Sequence, residues 1–170
     1  MNIVGEHIFS GPREEVYRML QDPEVLACAF PNTQSLTKID DAHYESTINI
    51  RVGPVSGMFQ GKLEVADEVP PEACTLNLEG RAGRAFATGS LHLSFVEQAD
   101  GLTLLKYAGE AKAGGALANV GPRIIDRAAR SLVKQVFKAL DETLRVRMAA
   151  NEEGLVRLAE AGEGNQGTSN

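Results

Sequence analysis

A long central stretch, residues 34 to 113, constrains this chain most: apolar and polar residues alternate there with no helical interval between. From His43 to Val52, Tyr44, Ile48, Ile50 and Val52 fall on one face and Glu45, Thr47, Asn49 and Arg51 on the other. Gly53-Pro54 turns the chain. Val55, Gly57, Phe59, Gly61, Leu63 and Val65 then alternate against Ser56, Gln60, Lys62 and Glu64. Pro70-Pro71 is a further break, followed by runs centred on Cys74, Leu76 and Leu78, on Leu91, Leu93 and Phe95, and on Leu105, Tyr107 and Ala111. A period of two is the signature of a strand with one buried face. Consecutive strands joined by short turns pair antiparallel, with one side covered and the other wet.

The flanks supply the cover. Ile3 to Phe9 reads as a first strand with Ile3, Gly5, His7 and Phe9 facing inward. Ser10 is the expected cap of a short helix carrying Val16, Tyr17, Met19 and Leu20, and Asp22-Pro23 opens a second that Pro31-Asn32 stops. At the other end Leu117, Val120, Ile124, Ile125, Ala128, Leu132, Val133, Val136, Phe137, Leu140 and Leu144 keep helical spacing. The expected helix runs from about residue 116 to 149, with a kink or fresh start at Pro122. This order is α+β: a curved antiparallel sheet of about seven strands around a long C-terminal helix, with two short helices after the first strand. Residues 1–150 form one domain on this reading, and 151–170, glycine-rich and poor in apolar groups, form a polar disordered tail.

Several function classes drop out. No run approaches the ~18 apolar residues of a membrane span, and the N-terminus lacks the basic and apolar regions of a secretory signal. A net charge of −6, six Phe, three Tyr and no Trp argue against a nucleic-acid partner. Cys28 and Cys74 have neither CxxC nor metal spacing, so two buried thiols in a cytoplasmic protein are expected. His43 and His92 take outward positions, and the inward His7 reads as a core histidine satisfied by a backbone group rather than a base. Neither a metal-ligand cluster nor a phosphate-binding glycine motif is present, so no catalytic or metal residue is assigned.

The inward positions are unusually small: Gly5, Gly57, Gly61, Gly80, Gly89, Ala85, Ala87, Gly109 and Ala111. They either permit curvature and close helix packing or leave a cavity under the helix. Gly57 and Gly61 are expected on the concave face, so a Val at position 57 enters the helix–sheet gap and overpacks it at a cost of about 1–3 kcal/mol.

Four segments carry a resemblance: Asp22-Pro23-Glu24-Val25-Leu26, Phe30-Pro31-Asn32, the stretch VGPVSGMFQGK from Val52 to Lys62, and Ala118 to Ala129. The chain resembles the CoxG family of carbon monoxide dehydrogenase subunits, within the START-like, helix-grip (SRPBCC) superfamily. The resemblance implies a pocket for a hydrophobic small molecule, a quinone or lipid, between sheet and helix. Phe30, Phe59, Leu91, Phe95, Tyr107, Leu117, Val120, Ile124 and Ala128 are its expected lining. It also implies an accessory role beside a carbon monoxide dehydrogenase-like molybdenum hydroxylase, supporting membrane association or electron transfer. The expected location is cytoplasmic, with peripheral contact at the inner face of the membrane. A START-like cyclase or dehydratase is the alternative from another class.

Arg123, Arg127, Arg130, Lys134 and Lys138 recur at steps of four, three, four and four, which sets all five on one stripe of the last helix. The stripe is either a solvated face or a docking surface for anionic lipid heads or an acidic partner.

Overall fold

A computed structural model describes residues 1–163. Seven strands form one sheet: β1 (Asn2–Phe9), β2 (Thr33–Lys38), β3 (His43–Val52), β4 (Val55–Val69), β5 (Ala73–Ala82), β6 (Ala85–Glu97) and β7 (Thr103–Gly115). The spatial order is β1-β7-β6-β5-β4-β3-β2, antiparallel throughout. Helices α1 (Arg13–Met19) and α2 (Pro23–Ala29) follow β1, and α3 (Pro122–Glu163) closes the order. This is the architecture expected from the alternation: a curved sheet gripping one long helix.

Local chemistry explains the joints. The β3–β4 and β5–β6 hairpins each turn on two residues, and Gly53 and Gly83 hold the positive φ that opens such tight turns. Asp22 caps α2, its Oδ1 accepting from the N–H groups of Glu24 and Val25, with Pro23 in the first helical position. Gly121 at φ 105° cannot continue a helix, so α3 starts afresh at Pro122.

The core lies where α1 and α2 close one end of the concave face. Val136, Phe137, Leu140 and Leu144 of α3 pack there with Phe9, Val16, Met19, Leu26, Leu93 and Leu105. Each such side chain, fully buried, contributes about 1.5–3 kcal/mol. A smaller cluster of Phe59, Ala85 and Leu117 sits near the hairpin tips.

Four expectations are corrected. Ser10 does not cap α1: Pro12 takes that position with no side-chain bond, while Ser10 Oγ accepts from Arg145 Nε. The last helix begins at Pro122, not near 116, and residues 151–163 of the expected tail continue it. Ala, Leu and Glu there are strong helix formers, and extending an existing helix avoids the cost of nucleation. Residues 164–170 of that tail lie outside the described residues. Cys28 is exposed on α2, and only Cys74 is buried. No helix among the described residues is long and apolar enough to cross a membrane.

Candidate functional site: a trough across the concave face

Strand register brings together residues far apart in sequence. Ser46 pairs with Gly61, Gly61 with Gly80, Gly80 with Ala87, and Ala87 with Ala113. A row of five small residues therefore crosses β3, β4, β5, β6 and β7 at one level. Every member points to the concave side, because each shares parity with a buried residue of its strand: Tyr44, Phe59, Cys74, Leu91 and Leu105.

The row lies where the two apolar clusters meet, and its Ala87 and Ala113 pack against the smaller one. Leu91 and Tyr107 belong to the large one, and Phe59, Ala85 and Leu117 to the small one. Between these banks the side chains end at Cβ or, in Ser46, one atom further. All five floor residues are only half-buried although they face inward. The adjacent Gly57, also on the concave side and opposite Ile50, has open space where a Cβ would stand: no atom lies within 4 Å. At Gly80 that Cβ would meet only Cδ1 of Phe59, at 3.7 Å, so the Phe59 ring leans over the floor. The N-terminal half of α3 spans the gap, with Ala129, Leu132 and Val133 on the large cluster and Ile125 on the small one.

These small residues form a shallow apolar strip, the trough, with one hydroxyl in its floor; the surface depressions of about 680 and 410 Å³ lie elsewhere, along the basic stripe and beside Pro122. Ser46 Oγ stands over Gly61, where an added Cβ would come within 2.5 Å of it. Sequence reasoning missed Ser46. Its one available signal was parity: it occupies an inward position in a strand whose other inward residues are apolar.

The expected lining residues divide. Leu91, Phe95 and Tyr107 are buried in the large cluster with Phe30 against it, and Phe59 and Leu117 are buried in the small one beside Val120. Phe95 serves the core outright, its ring edge-on to Tyr17 with centroids 5.5 Å apart. Ile124 is 45% exposed, and Ala128 is half-buried and joins neither cluster. Val120 and Ile124 border a small surface depression beside Pro122 instead.

All five residues of the basic stripe are exposed, along an open depression of about 680 Å³ on the outer side of α3. Arg130 is engaged within the chain, bonding Asp126 Oδ2 at 2.9 Å and the carbonyl of Asn2 at 2.8 Å. Arg123, Arg127, Lys134 and Lys138 form no ion pair among the described residues.

The titratable groups are structural in their surroundings. Contrary to the sequence expectation, His7 is not satisfied by a backbone group among the described residues. Its buried Nε2 has no hydrogen-bond partner among the described residues, and the nearest carboxylate oxygen is Asp141 Oδ2 at 3.8 Å. Its ring packs edge-on to Phe9, with centroids 4.8 Å apart. Burial lowers its pKa, partly offset by Asp141, so the imidazole is neutral near pH 7. Burial raises the Tyr17 phenol, which donates to Glu68 Oε1 at 2.8 Å. It also pushes the Cys74 thiol up to about 12, leaving that sulfur unreactive. No three His, Cys, Asp or Glu side chains among the described residues converge to hold a metal ion.

This geometry has known relatives. Residues 5–145 match the model of the CoxG family, whose members are described as a subunit of carbon monoxide dehydrogenase. A solved conserved protein from Geobacillus kaustophilus superposes with TM-score 0.80 at 28% identity, over 85% of this chain and 95% of that one. A START superfamily protein from Mycobacterium smegmatis gives 0.63 at 13% identity, over 85% and 97%. The Zhui aromatase/cyclase from Streptomyces gives 0.64 at 11%, over 87% and 95%. Those two share the fold, and a shared fold alone assigns no activity. Among curated proteins no match is found.

Proposed function

The chain belongs to the CoxG family of carbon monoxide dehydrogenase subunits, and we propose that it is an accessory protein holding a hydrophobic small molecule, a quinone or a lipid, in the trough beneath α3. One observation carries this reading. The concave face has two apolar clusters that meet at a half-exposed row of small residues, Ser46, Gly61, Gly80, Ala87 and Ala113, whose two alanines pack against the smaller cluster. A packed sheet–helix layer places side chains there, since interiors are normally filled to crystal-like density. Phe59 and Leu117 on one bank and Leu91 and Tyr107 on the other offer apolar walls, and Ser46 offers the hydroxyl a quinone carbonyl or a lipid head would use.

The family description supports a setting beside carbon monoxide dehydrogenase; in the proposed role this protein assists a molybdenum hydroxylase of that type, at the inner face of the membrane, in membrane association or electron transfer. A bound quinone would supply the electron acceptor. This chain's own residues would bind and orient it. The cyclase or dehydratase alternative has less support, because such chemistry needs an acid or base over the substrate and the five-residue floor contains no titratable side chain.

Reconstitution tests the role. Electron flow from the partner hydroxylase to a membrane quinone is measured with and without this protein. A rise on its addition supports the accessory reading; an unchanged rate together with no quinone retained by the protein refutes it.

A further inference from the structure

The outer face of α3 changes sign along its length. Residues 122–138 carry Arg123, Arg127, Arg130, Lys134 and Lys138 against Asp126 alone, a net of +4. Residues 151–163 carry Glu152, Glu153, Glu160 and Glu163 against Arg157, a net of −3. At about 100° per residue, Glu152 and Glu163 fall on the continuation of the basic stripe, with Glu160 to one side. The last buried residue of α3 is Leu144. Arg147 still bonds Asp22 Oδ2 at 3.0 Å and Met148 still packs on the large cluster; beyond them the helix runs free of the domain, with Leu155, Val156 and Leu158 exposed by 67%, 56% and 73%. An isolated helical segment of this length is marginal in water, and its stability normally comes from packing against something.

We propose that two copies of this chain pair antiparallel through α3, the acidic extension of each lying on the basic stripe of the other. A two-fold axis near Thr143 sets Arg123 against the partner copy's Glu163, Arg127 against its Glu160 and Lys134 against its Glu152. Every pair occurs twice, as an isologous contact requires. Val156 enters the same seam opposite Arg130. A parallel arrangement brings like charges together at both ends, so the polarity selects the antiparallel one. The paired surfaces include none of the trough floor residues, which lie on the sheet.

Zero-length carbodiimide coupling of the full chain tests it directly. Lys134 and Glu152 are about 27 Å apart along one helix at 1.5 Å per residue, so a Lys134–Glu152 bond forms only between copies. The expected result is that bond in a covalent dimer. Sedimentation gives the second test. Arg127→Glu with Lys134→Glu, or Glu152→Lys with Glu160→Lys, is expected to weaken self-association by at least about tenfold, as 1.4 kcal/mol per tenfold allows for two lost ion pairs in each interface half. Mixing the two variants restores a dimer, because the Arg127–Glu160 and Lys134–Glu152 pairs re-form with their charges exchanged. Circular dichroism confirms that each variant keeps its helix. Wild-type protein that stays monomeric, variants that associate as wild type does, or mixed variants that stay apart would overturn the proposal. Monomers that sediment with phosphatidylglycerol vesicles would do so too, and would give the stripe to a membrane surface.

Discussion

The main-chain N–H of Ser10, just past the end of β1, donates to Asp141 Oδ1 on α3 at 2.9 Å, joining residues 131 positions apart. Asp141 is a buried carboxylate, and Arg145 meets its other oxygen at 3.2 Å. Asp141→Ala leaves the Ser10 N–H without an acceptor, which costs about 1–3 kcal/mol. Asp141→Asn keeps an acceptor and costs visibly less. Urea denaturation of the two variants checks the order; equal losses would mean that the Ser10 contact contributes nothing.

His7 faces Asp141 and Arg145 of the same helix and sits against Phe9 and Phe137. Burial, the largest cause, holds its pKa below the ordinary 6.5. The unfolded chain therefore binds the proton first as pH falls. The His7 contribution is fully present above about pH 6.5 and is lost below it, down through the lowered native value. His7→Gln is expected to flatten this part of the stability profile. Parallel profiles for wild type and variant, from denaturation midpoints between about pH 7.5 and 5, would contradict the assignment.

The two thiols differ in access. Cys28 is exposed and Cys74 buried, so a maleimide added to the folded protein modifies Cys28 and leaves Cys74 until denaturant is added. Peptide mapping of the product distinguishes the two sites. Native labelling of Cys74 would show that the large core opens easily.

Gly57 behaves differently from the overpacking expected on sequence grounds. With no atom within 4 Å of its missing Cβ, Gly57→Val adds a side chain to open space. Native stability stays within about 1 kcal/mol of wild type, since the φ is unremarkable and β-branched residues suit strands. A loss of 3 kcal/mol or more, the upper end of overpacking costs, would place α3 closer to the sheet than described.

The central sheet was legible in sequence because its signal is local: period-two alternation from His43 onward and a glycine opening the turn at Gly53 reveal strand, face and hairpin. Pro122 announced the helix start in the same way. The trough was legible only in part. Gly61, Gly80 and Ala87 were visible as small inward residues, but their alignment into one row with Ser46 and Ala113 depends on register across five strands, which no single strand encodes. Asp141 escaped notice for a related reason: a carboxylate on a helix otherwise rich in charge gives no hint that it faces Ser10. The α3 extension was hidden by its composition, since Gly154 and Gly162 suggest a break and the surrounding Ala, Leu and Glu outweigh them.

If the row from Ser46 to Ala113 is the floor of a binding site for an apolar molecule, filling it must abolish uptake. Fluorescence titration with a ubiquinone analogue or an anthroyloxy fatty acid, comparing wild type with Ala87→Phe, reads this out. The phenyl ring placed in the middle of the floor occupies the trough while the outer surface is unchanged. Wild type is expected to bind saturably and the variant at least about tenfold more weakly, a difference of ~1.4 kcal/mol, with the same circular dichroism spectrum. Wild type that shows no saturable binding, or a variant of equal affinity, would mean that the trough holds no such ligand.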